Sequence, residues 1–191
     1  MTVGVLALQG DVEAHIAALR RACDGTSVVE VRSSADLDGI QGLVIPGGES
    51  TTMLKLMSYY SLFAPLKQFG SEKPIFGTCA GAILLAKEVL NPAQDSLALI
   101  DLTVERNAYG RQLDSQVVTL TEHSLGGAPG LEAVFIRAPK ICRVGAGGSV
   151  LASYASDPVL VDFGRHMVAT FHPELTSDTR IHRLFVEKIK A

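Results

Sequence analysis

Two textures of hydrophobic patterning meet near Asn91-Pro92. Before that point, short and continuously apolar runs alternate with stretches whose apolar residues recur three or four apart. Val3-Gly4-Val5-Leu6-Ala7-Leu8 ends at Gln9-Gly10, Val28 to Val31 follows, Leu43-Val44-Ile45 stops at Pro46-Gly47-Gly48, and Pro74-Ile75-Phe76 is the fourth run. Runs this short and this apolar suit strands covered on both faces of a parallel sheet. Between them, Asp11 can cap a helix carrying Val12, Ile16 and Leu19, with Arg20 and Arg21 near its C-terminal end. Ser50 or Thr51 can cap another, whose apolar side includes Met53, Leu54, Met57 and Tyr60. This alternation predicts an α/β fold with a mostly parallel central sheet flanked by helices.

After Asn91-Pro92 the segments Leu102–Glu105, Gln116–Leu120, Val134–Ile136, Val150–Tyr154, Val159–Phe163 and Met167–Phe171 are short and rich in β-branched or aromatic residues. Glycine-containing turns separate several of them, as at Gly126-Gly127 and Gly145-Ala146-Gly147-Gly148. They predict antiparallel strands added to the first sheet or packed beside it. A last helix is expected over Asp178 to Lys190, with Ile181, Leu184, Phe185 and Ile189 at helical spacing and Ser177 as its cap. No repeat or linker interrupts the chain, so residues 1–191 are expected to form one domain.

The totals exclude more than they select. A formal charge of −3 gives no electrostatic case for nucleic acid or an anionic membrane. No apolar stretch approaches the length of a membrane span. Cys23, Cys79 and Cys142 are odd in number, widely spaced and without metal-binding pairing, which fits a reducing, cytoplasmic setting and no metal site.

One cysteine stands apart. In Gly77-Thr78-Cys79-Ala80-Gly81 it sits between two glycines, after an apolar strand and before an Ala/Leu-rich run suited to a helix. That is the pattern of a nucleophile elbow, in which small flanking residues relieve crowding at a sharp strand-to-helix turn. The start of the helix would favour thiolate over thiol there. A buried cysteine acting as a small hydrophobe is the bland alternative. A base is available in Phe171-His172-Pro173-Glu174, directly after a hydrophobic strand. Proline keeps the preceding residue extended, so His172 and Glu174 are expected to project to the same side. Glu174 could then fix the imidazole tautomer and leave the other nitrogen free to deprotonate Cys79. The remaining histidines carry less: His15 and His182 fall in helices and read as surface or packing residues, His123 lies in a turn and His166 opens a strand. For an oxyanion site, Pro46-Gly47-Gly48-Glu49-Ser50 offers backbone N–H groups at a helix start, with the N–H of Ala80 as second donor. A phosphate loop is the rival reading, weakened by the missing lysine and by the charge of Glu49.

Taken together these residues resemble the class I, triad-type glutamine amidotransferases. Further segments are similar to the glutaminase subunits of pyridoxal 5′-phosphate synthase: Leu8-Gln9-Gly10-Asp11, Pro46-Gly47-Gly48-Glu49-Ser50-Thr51-Thr52, Val104-Glu105-Arg106-Asn107-x-x-Gly110-Arg111-Gln112-x-Asp114-Ser115, Phe135-Ile136-Arg137-Ala138-Pro139 and Phe171-His172-Pro173-Glu174-Leu175-Thr176. The resemblance implies a flavodoxin-like fold and hydrolysis of L-glutamine to glutamate and ammonia through a thioester on Cys79, with no cofactor. It implies catalytic Cys79, His172 and Glu174, oxyanion donors at Gly48 and Ala80, and glutamine binding by Gly48, Glu49, Ser50, Arg106, Ile136 and Arg137. It also implies a partner, a separate (β/α)₈-barrel synthase subunit that receives the ammonia and raises an otherwise low activity. The charges agree with a free amino acid as substrate, since Glu49 can meet an ammonium and Arg106 or Arg137 a carboxylate. Another triad cysteine hydrolase, such as a γ-glutamyl hydrolase, and a non-catalytic binding subunit are the alternatives. The first needs no paired charges for a free amino acid, and the second would be expected to lack a triad member.

Overall fold

The computed structural model describes residues 1–108, 115–127 and 129–190, so the Gly110-Arg111-Gln112-x-Asp114 part of the sequence motif lies outside the described residues. The first half runs β1 (Thr2–Leu6), α1 (Val12–Ala22), β2 (Ser27–Val31), β3 (Gly42–Ile45), α2 (Ser50–Tyr59), α3 (Phe63–Glu72), β4 (Ile75–Thr78) and α4 (Ala80–Leu85). The second half runs β5 (Ala86–Leu90), β6 (Ile100–Glu105), β7 (Ser115–Leu120), β8 (Glu122–His123), β9 (Leu131–Ile136), β10 (Lys140–Val144), β11 (Ser149–Tyr154), β12 (Asp157–Phe163), β13 (His166–Ala169) and α5 (Arg180–Lys190).

An eight-stranded sheet in the order β2-β1-β3-β4-β13-β12-β11-β8 organises the molecule. Its first five strands are parallel, and β12, β11 and β8 join antiparallel. The other late strands stand beside it, as the three-stranded sheet β10-β6-β5 and the antiparallel pair β7-β9. The second half therefore both extends the first sheet and packs next to it, but not by antiparallel pairing alone as its sequence predicted: β13 runs parallel to β4 and β6 parallel to β5.

Side chains alternate across each strand, so neighbouring residues enter opposite cores. Leu43, Ile45, Ile75 and Val168 join Met53, Met57, Leu66 and Leu84 on the side of α2, α3 and α4. Val44, Phe76, Met167 and Ala169 join Ile16, Leu19, Phe185 and Val186 on the side of α1 and α5. Burial on both faces is the reason these strands carry no polar alternation. Register then decides where the chemistry sits. Ile45 pairs with Gly77, Val168 with Gly77 and Ala169 with Thr78, so β3, β4 and β13 end level. The segments leaving them, Pro46-Gly47-Gly48, Cys79 and Thr170–His172, share the carboxyl edge of the sheet, where open α/β sheets place their ligands. No helix among the described residues is long and apolar enough to cross a membrane.

Local details differ from the sequence reading where side chains compete for caps. Glu49, rather than Ser50 or Thr51, caps α2 by accepting the Thr52 N–H at 2.8 Å. Ser50 is the first helical residue and donates to Gln94 Oε1 at 2.9 Å. Tyr60 lies exposed beyond the helix end. α3 escaped notice because Pro65 and Gly70 interrupt its apolar pattern. α5 begins at Arg180, whose N–H is taken by the Asp178 carboxylate at 2.9 Å, so Ser177 does not cap it.

Three histidines are buried in this fold: His15, His166 and His182. His166 Nδ1 accepts the Ile75 N–H at 3.2 Å, a bond that protonation would abolish. Burial, with Arg165 nearby, lowers its pKa to about 4, and burial with Arg21 lowers that of His182 to about 3. Both lie below the unfolded value of about 6.5. Below that pH the unfolded chain binds protons that the folded chain refuses, so stability is full above about 6.5 and is lost as pH falls toward 4 and 3. The urea midpoint is accordingly expected to drop between pH 7 and pH 5, before most carboxylates titrate. An unchanged midpoint would contradict these histidines being held neutral.

Candidate active site

Cys79 occupies the turn between β4 and α4 with φ 47° and ψ −104°, a backbone region that costs a non-glycine residue about 1–3 kcal/mol. The sheet holds it there, because the Cys79 N–H donates to the Ala169 carbonyl of β13 at 2.8 Å. The flanking glycines are required by contact. A Cβ on Gly77 would lie 2.6 Å from the Gly81 backbone, and one on Gly81 would lie 2.2 Å from the Ile45 carbonyl oxygen. α4 is only six residues long, so its dipole is smaller than the sequence suggested. Ala80 is its first residue, and an N–H at that position has no acceptor within the helix.

His172 follows β13, and its N–H donates to the Val134 carbonyl of β9 at 2.8 Å. It sits at φ −108° and ψ 82°, and Pro173–Leu175 form a 3-10 turn rather than an extended continuation. The turn achieves by folding what extension was expected to achieve. His172 Nδ1 lies 2.7 Å from Glu174 Oε1. Glu174 is buried, at 4% exposure, which puts a carboxylate where it depends on its partners. Burial pulls the His172 pKa down, but hydrogen bonding to Cys79 and to Glu174 outweighs it and pushes the imidazole up to about 10. The stability this contributes is fully present below the unfolded value of about 6.5 and is lost as pH rises through about 10.

The loop after β3 closes on this pair. A Cβ on Gly47 would come within 2.4 Å of His172 Cε1 and 3.2 Å of Cys79 Cβ, so only glycine fits. The loop is held from behind by β1's continuation: Gln9 Oε1 accepts the Glu49 N–H at 3.0 Å, and a side chain on Gly10 would meet the Gly47 carbonyl oxygen. Gln9 stood in a recognised motif, but its role as a brace for the loop was not legible in it. Glu49 Oε2 takes hydrogen bonds from Thr51 Oγ1, from the Thr52 N–H and from Thr52 Oγ1, while Oε1 receives Arg106 Nη2 at 3.0 Å. Partial burial alone would raise its pKa, yet the Thr51 and Thr52 hydrogen bonds bring it down to about 2. Arg106 is mostly buried, at 11% side-chain exposure, and its Nη1 has no partner among the described residues.

These groups face one cleft of about 320 Å³. It is lined by Gly48, Glu49, Ser50, Cys79, Arg106, Ile136, Arg137 and His172, with Gln9, Ile83, Asn107 and Pro139 completing the wall. The Ile136 carbonyl lies 3.9 Å from Cys79 Sγ. Glu174 stands behind His172 and Ala80 behind Cys79, both buried. A thiol, an imidazole backed by a carboxylate, a guanidinium and a second carboxylate therefore meet at one opening. Ile83 is a lining residue that sequence reasoning missed, because nothing separates it from an ordinary core position of α4.

A model described as the SNO glutamine amidotransferase family matches residues 5–191. A protein from Solibacter usitatus named pyridoxal 5′-phosphate synthase subunit PdxT is 59% identical over 191 residues, covering 98% of each chain. Proteins of the same name from Thermosipho africanus and Thermotoga maritima are 49% and 45% identical, each over all of both chains. A crystal structure of a glutamine amidotransferase superposes with a TM-score of 0.89 at 45% identity, covering 99% of each chain. A more distant glutamine amidotransferase from Thermotoga maritima, at 14% identity and a TM-score of 0.62, covers all of this chain and 84% of that one, and shares the fold.

The His172–Glu174 contact yields a direct check. Replacing Glu174 by Gln keeps the shape but removes the charge, so the His172 pKa is expected to fall from about 10. Nuclear magnetic resonance titration of the His172 ring reads this, and an unmoved pKa would show that Glu174 does not act on the imidazole.

Proposed function

The chain belongs to the SNO glutamine amidotransferase family, and on that footing we propose that it is the glutaminase subunit of a pyridoxal 5′-phosphate synthase, hydrolysing L-glutamine to L-glutamate and ammonia. The observation that carries this reading is the single cleft in which Cys79 and the His172–Glu174 pair meet the charges of Glu49 and Arg106. A thiol with a base suits an amide carbonyl, and paired opposite charges suit the two ends of a free amino acid.

In this scheme the proton shared by Cys79 and His172 rests on His172 Nε2, and Cys79 Sγ attacks the side-chain carbonyl carbon of glutamine. The developing oxyanion is met by the backbone N–H groups of Gly48 and Ala80. His172 then delivers its proton to the leaving nitrogen, the C–N bond breaks, and ammonia departs from a thioester. Water, deprotonated by the same imidazole, attacks the thioester carbon and releases glutamate and the thiol. Glu174 stabilises the imidazolium and fixes its orientation at both stages. Arg106, or the exposed Arg137, receives the α-carboxylate. Glu49 Oε1 receives the α-ammonium, and Ser50 and Ile136 complete the walls of the pocket. Residues 1–191 work as one glutaminase domain. In the cytoplasm, ammonia passes to a separate (β/α)₈-barrel synthase subunit docked over the face that carries the elbow and the Gly47-Gly48 loop.

Ammonia release from glutamine tests this, with and without the barrel subunit. Activity is expected to be low for the isolated chain and to rise when the partner is added; a rate unmoved by a saturating, folded partner would count against the pairing. Cys79→Ala is expected to lose more than about a thousandfold of kcat under both conditions, and activity surviving it would sink the mechanism. Arg106→Ala removes a charged hydrogen-bond donor and is expected to raise KM at least about tenfold. An unchanged KM would remove Arg106 from the substrate pocket.

A further inference from the structure

Behind the triad runs a buried line of imidazoles that the reaction above does not use. His15 of α1 and His182 of α5 are each 0% exposed. His15 Nε2 lies 3.1 Å from Thr78 Oγ1 and 3.3 Å from Glu174 Oε2, while its Nδ1 lies 3.3 Å from His182 Nε2. Glu174 Oε2 is fully enclosed and has no well-aligned hydrogen bond among the described residues, so His15 is the cation-forming or N–H-bearing group at its side. Arg21 ties α1 to the same turn by donating to the Thr176 carbonyl at 3.2 Å.

Proton placement along this line follows from pairing donors with acceptors. A lone pair on His15 Nε2 would face a carboxylate oxygen, so that nitrogen carries the proton. His15 Nδ1 is then an acceptor and receives His182 Nε2–H. His182 Nδ1 is left as a bare lone pair, and among the described residues it has no partner, a lone pair being the cheaper group to leave unpaired. On the far side Glu174 Oε1 accepts His172 Nδ1–H, and His172 Nε2 is left to exchange a proton with Cys79 Sγ. The N–H groups of the series therefore converge on Glu174, those of His182 and His15 from one side and that of His172 from the other.

We propose that His15, backed by His182, is a positioning residue of this active site: it holds the Glu174 carboxylate in the orientation that fixes the His172 tautomer. The proposal rests on Cys79, His172 and Glu174 being the working triad. His15 does this as a neutral group. Burial and the proximity of His182 and His172 keep its pKa well below the ordinary value, so it directs the carboxylate without cancelling the charge that His172 needs. The titratable and charged groups facing this pair are Glu174 and His172 beyond β13 and Arg21 on α1, the last acting on His182.

The test compares His15→Leu, His15→Gln and His15→Asn. Glutamine can place an amide N–H where Nε2–H stood, whereas asparagine is too short to reach Glu174. Two readouts are taken: kcat and KM for glutamine in the complex with the barrel subunit, and the rate at pH 7 at which iodoacetamide alkylates Cys79, followed by mass spectrometry in the isolated chain. Leucine and asparagine are expected to lower kcat about tenfold with KM nearly unchanged and to slow alkylation comparably, while glutamine restores most of both. Wild-type kcat and alkylation in a folded leucine or asparagine variant would overturn the proposal, as would a folded glutamine variant no better than asparagine. Should the leucine variant not fold, the glutamine–asparagine pair decides. The alkylation arm needs no substrate, so it judges His15 even if the wild-type complex released no ammonia, a result that would instead overturn the glutaminase reading.

Discussion

A single backbone hydrogen bond, from the Cys79 N–H to the Ala169 carbonyl, ties the end of β4 to the end of β13. Much of the site depends on it. It fixes the elbow residue in a conformation that an isolated chain would avoid, and it does so with the strand whose next residues deliver His172. A turn costing about 1–3 kcal/mol persists only where its surroundings over-determine it. Here those surroundings are two parallel neighbours in level register and two glycines too crowded to be anything else. Cys79 and His172 are 93 residues apart in the sequence, yet their separation is set by adjacent strands of one sheet.

Burial gives the ionisable groups their leverage. In a low-dielectric interior a carboxylate without partners is costly, and one with a well-placed imidazole is strongly coupled to it. Glu174 is in that position, with His172 at 2.7 Å on one oxygen and His15 at 3.3 Å beside the other. Burial by itself would depress the His172 pKa; two hydrogen-bonding partners reverse the sign. The same burial, without such partners, keeps His166 and His182 neutral. One residue type thus takes opposite protonation states within one fold, decided by which groups face each ring.

Glu49 shows how a helix cap and an ion-pair partner can be one side chain. Its carboxylate accepts from Thr51 and Thr52 at the start of α2 and also meets Arg106 Nη2, while Nη1 of that guanidinium is enclosed and has no partner among the described residues. Because the Thr51 and Thr52 contacts keep Glu49 ionised, its charge is a fixed feature of the pocket rather than one that substrate must induce. Gln9 braces the same loop through the Glu49 N–H, so three separate strand ends meet at one turn.

The sequence by itself determined whatever depends on neighbours along the chain. Continuous apolar runs marked the parallel strands because burial on both faces leaves no room for polar alternation. Gly77-Thr78-Cys79-Ala80-Gly81 marked the elbow because only small residues survive the crowding there, and His172-Pro173-Glu174 paired a base with an acid two positions away. Even the latter was legible in outcome rather than route, since a 3-10 turn makes the contact where an extended strand was expected. Glu49 displaced Ser50 and Thr51 as the α2 cap because its longer side chain also reaches Arg106, a contact 57 residues away. Only the tertiary structure decided the placement of His15 and His182 beside Glu174. Each looks like an ordinary helix residue in its own segment, and they are 167 residues apart. They meet because α1 and α5 pack on the same face of the sheet and press both rings against the end of β4, and no local pattern encodes a contact that arises only when two helices share a core.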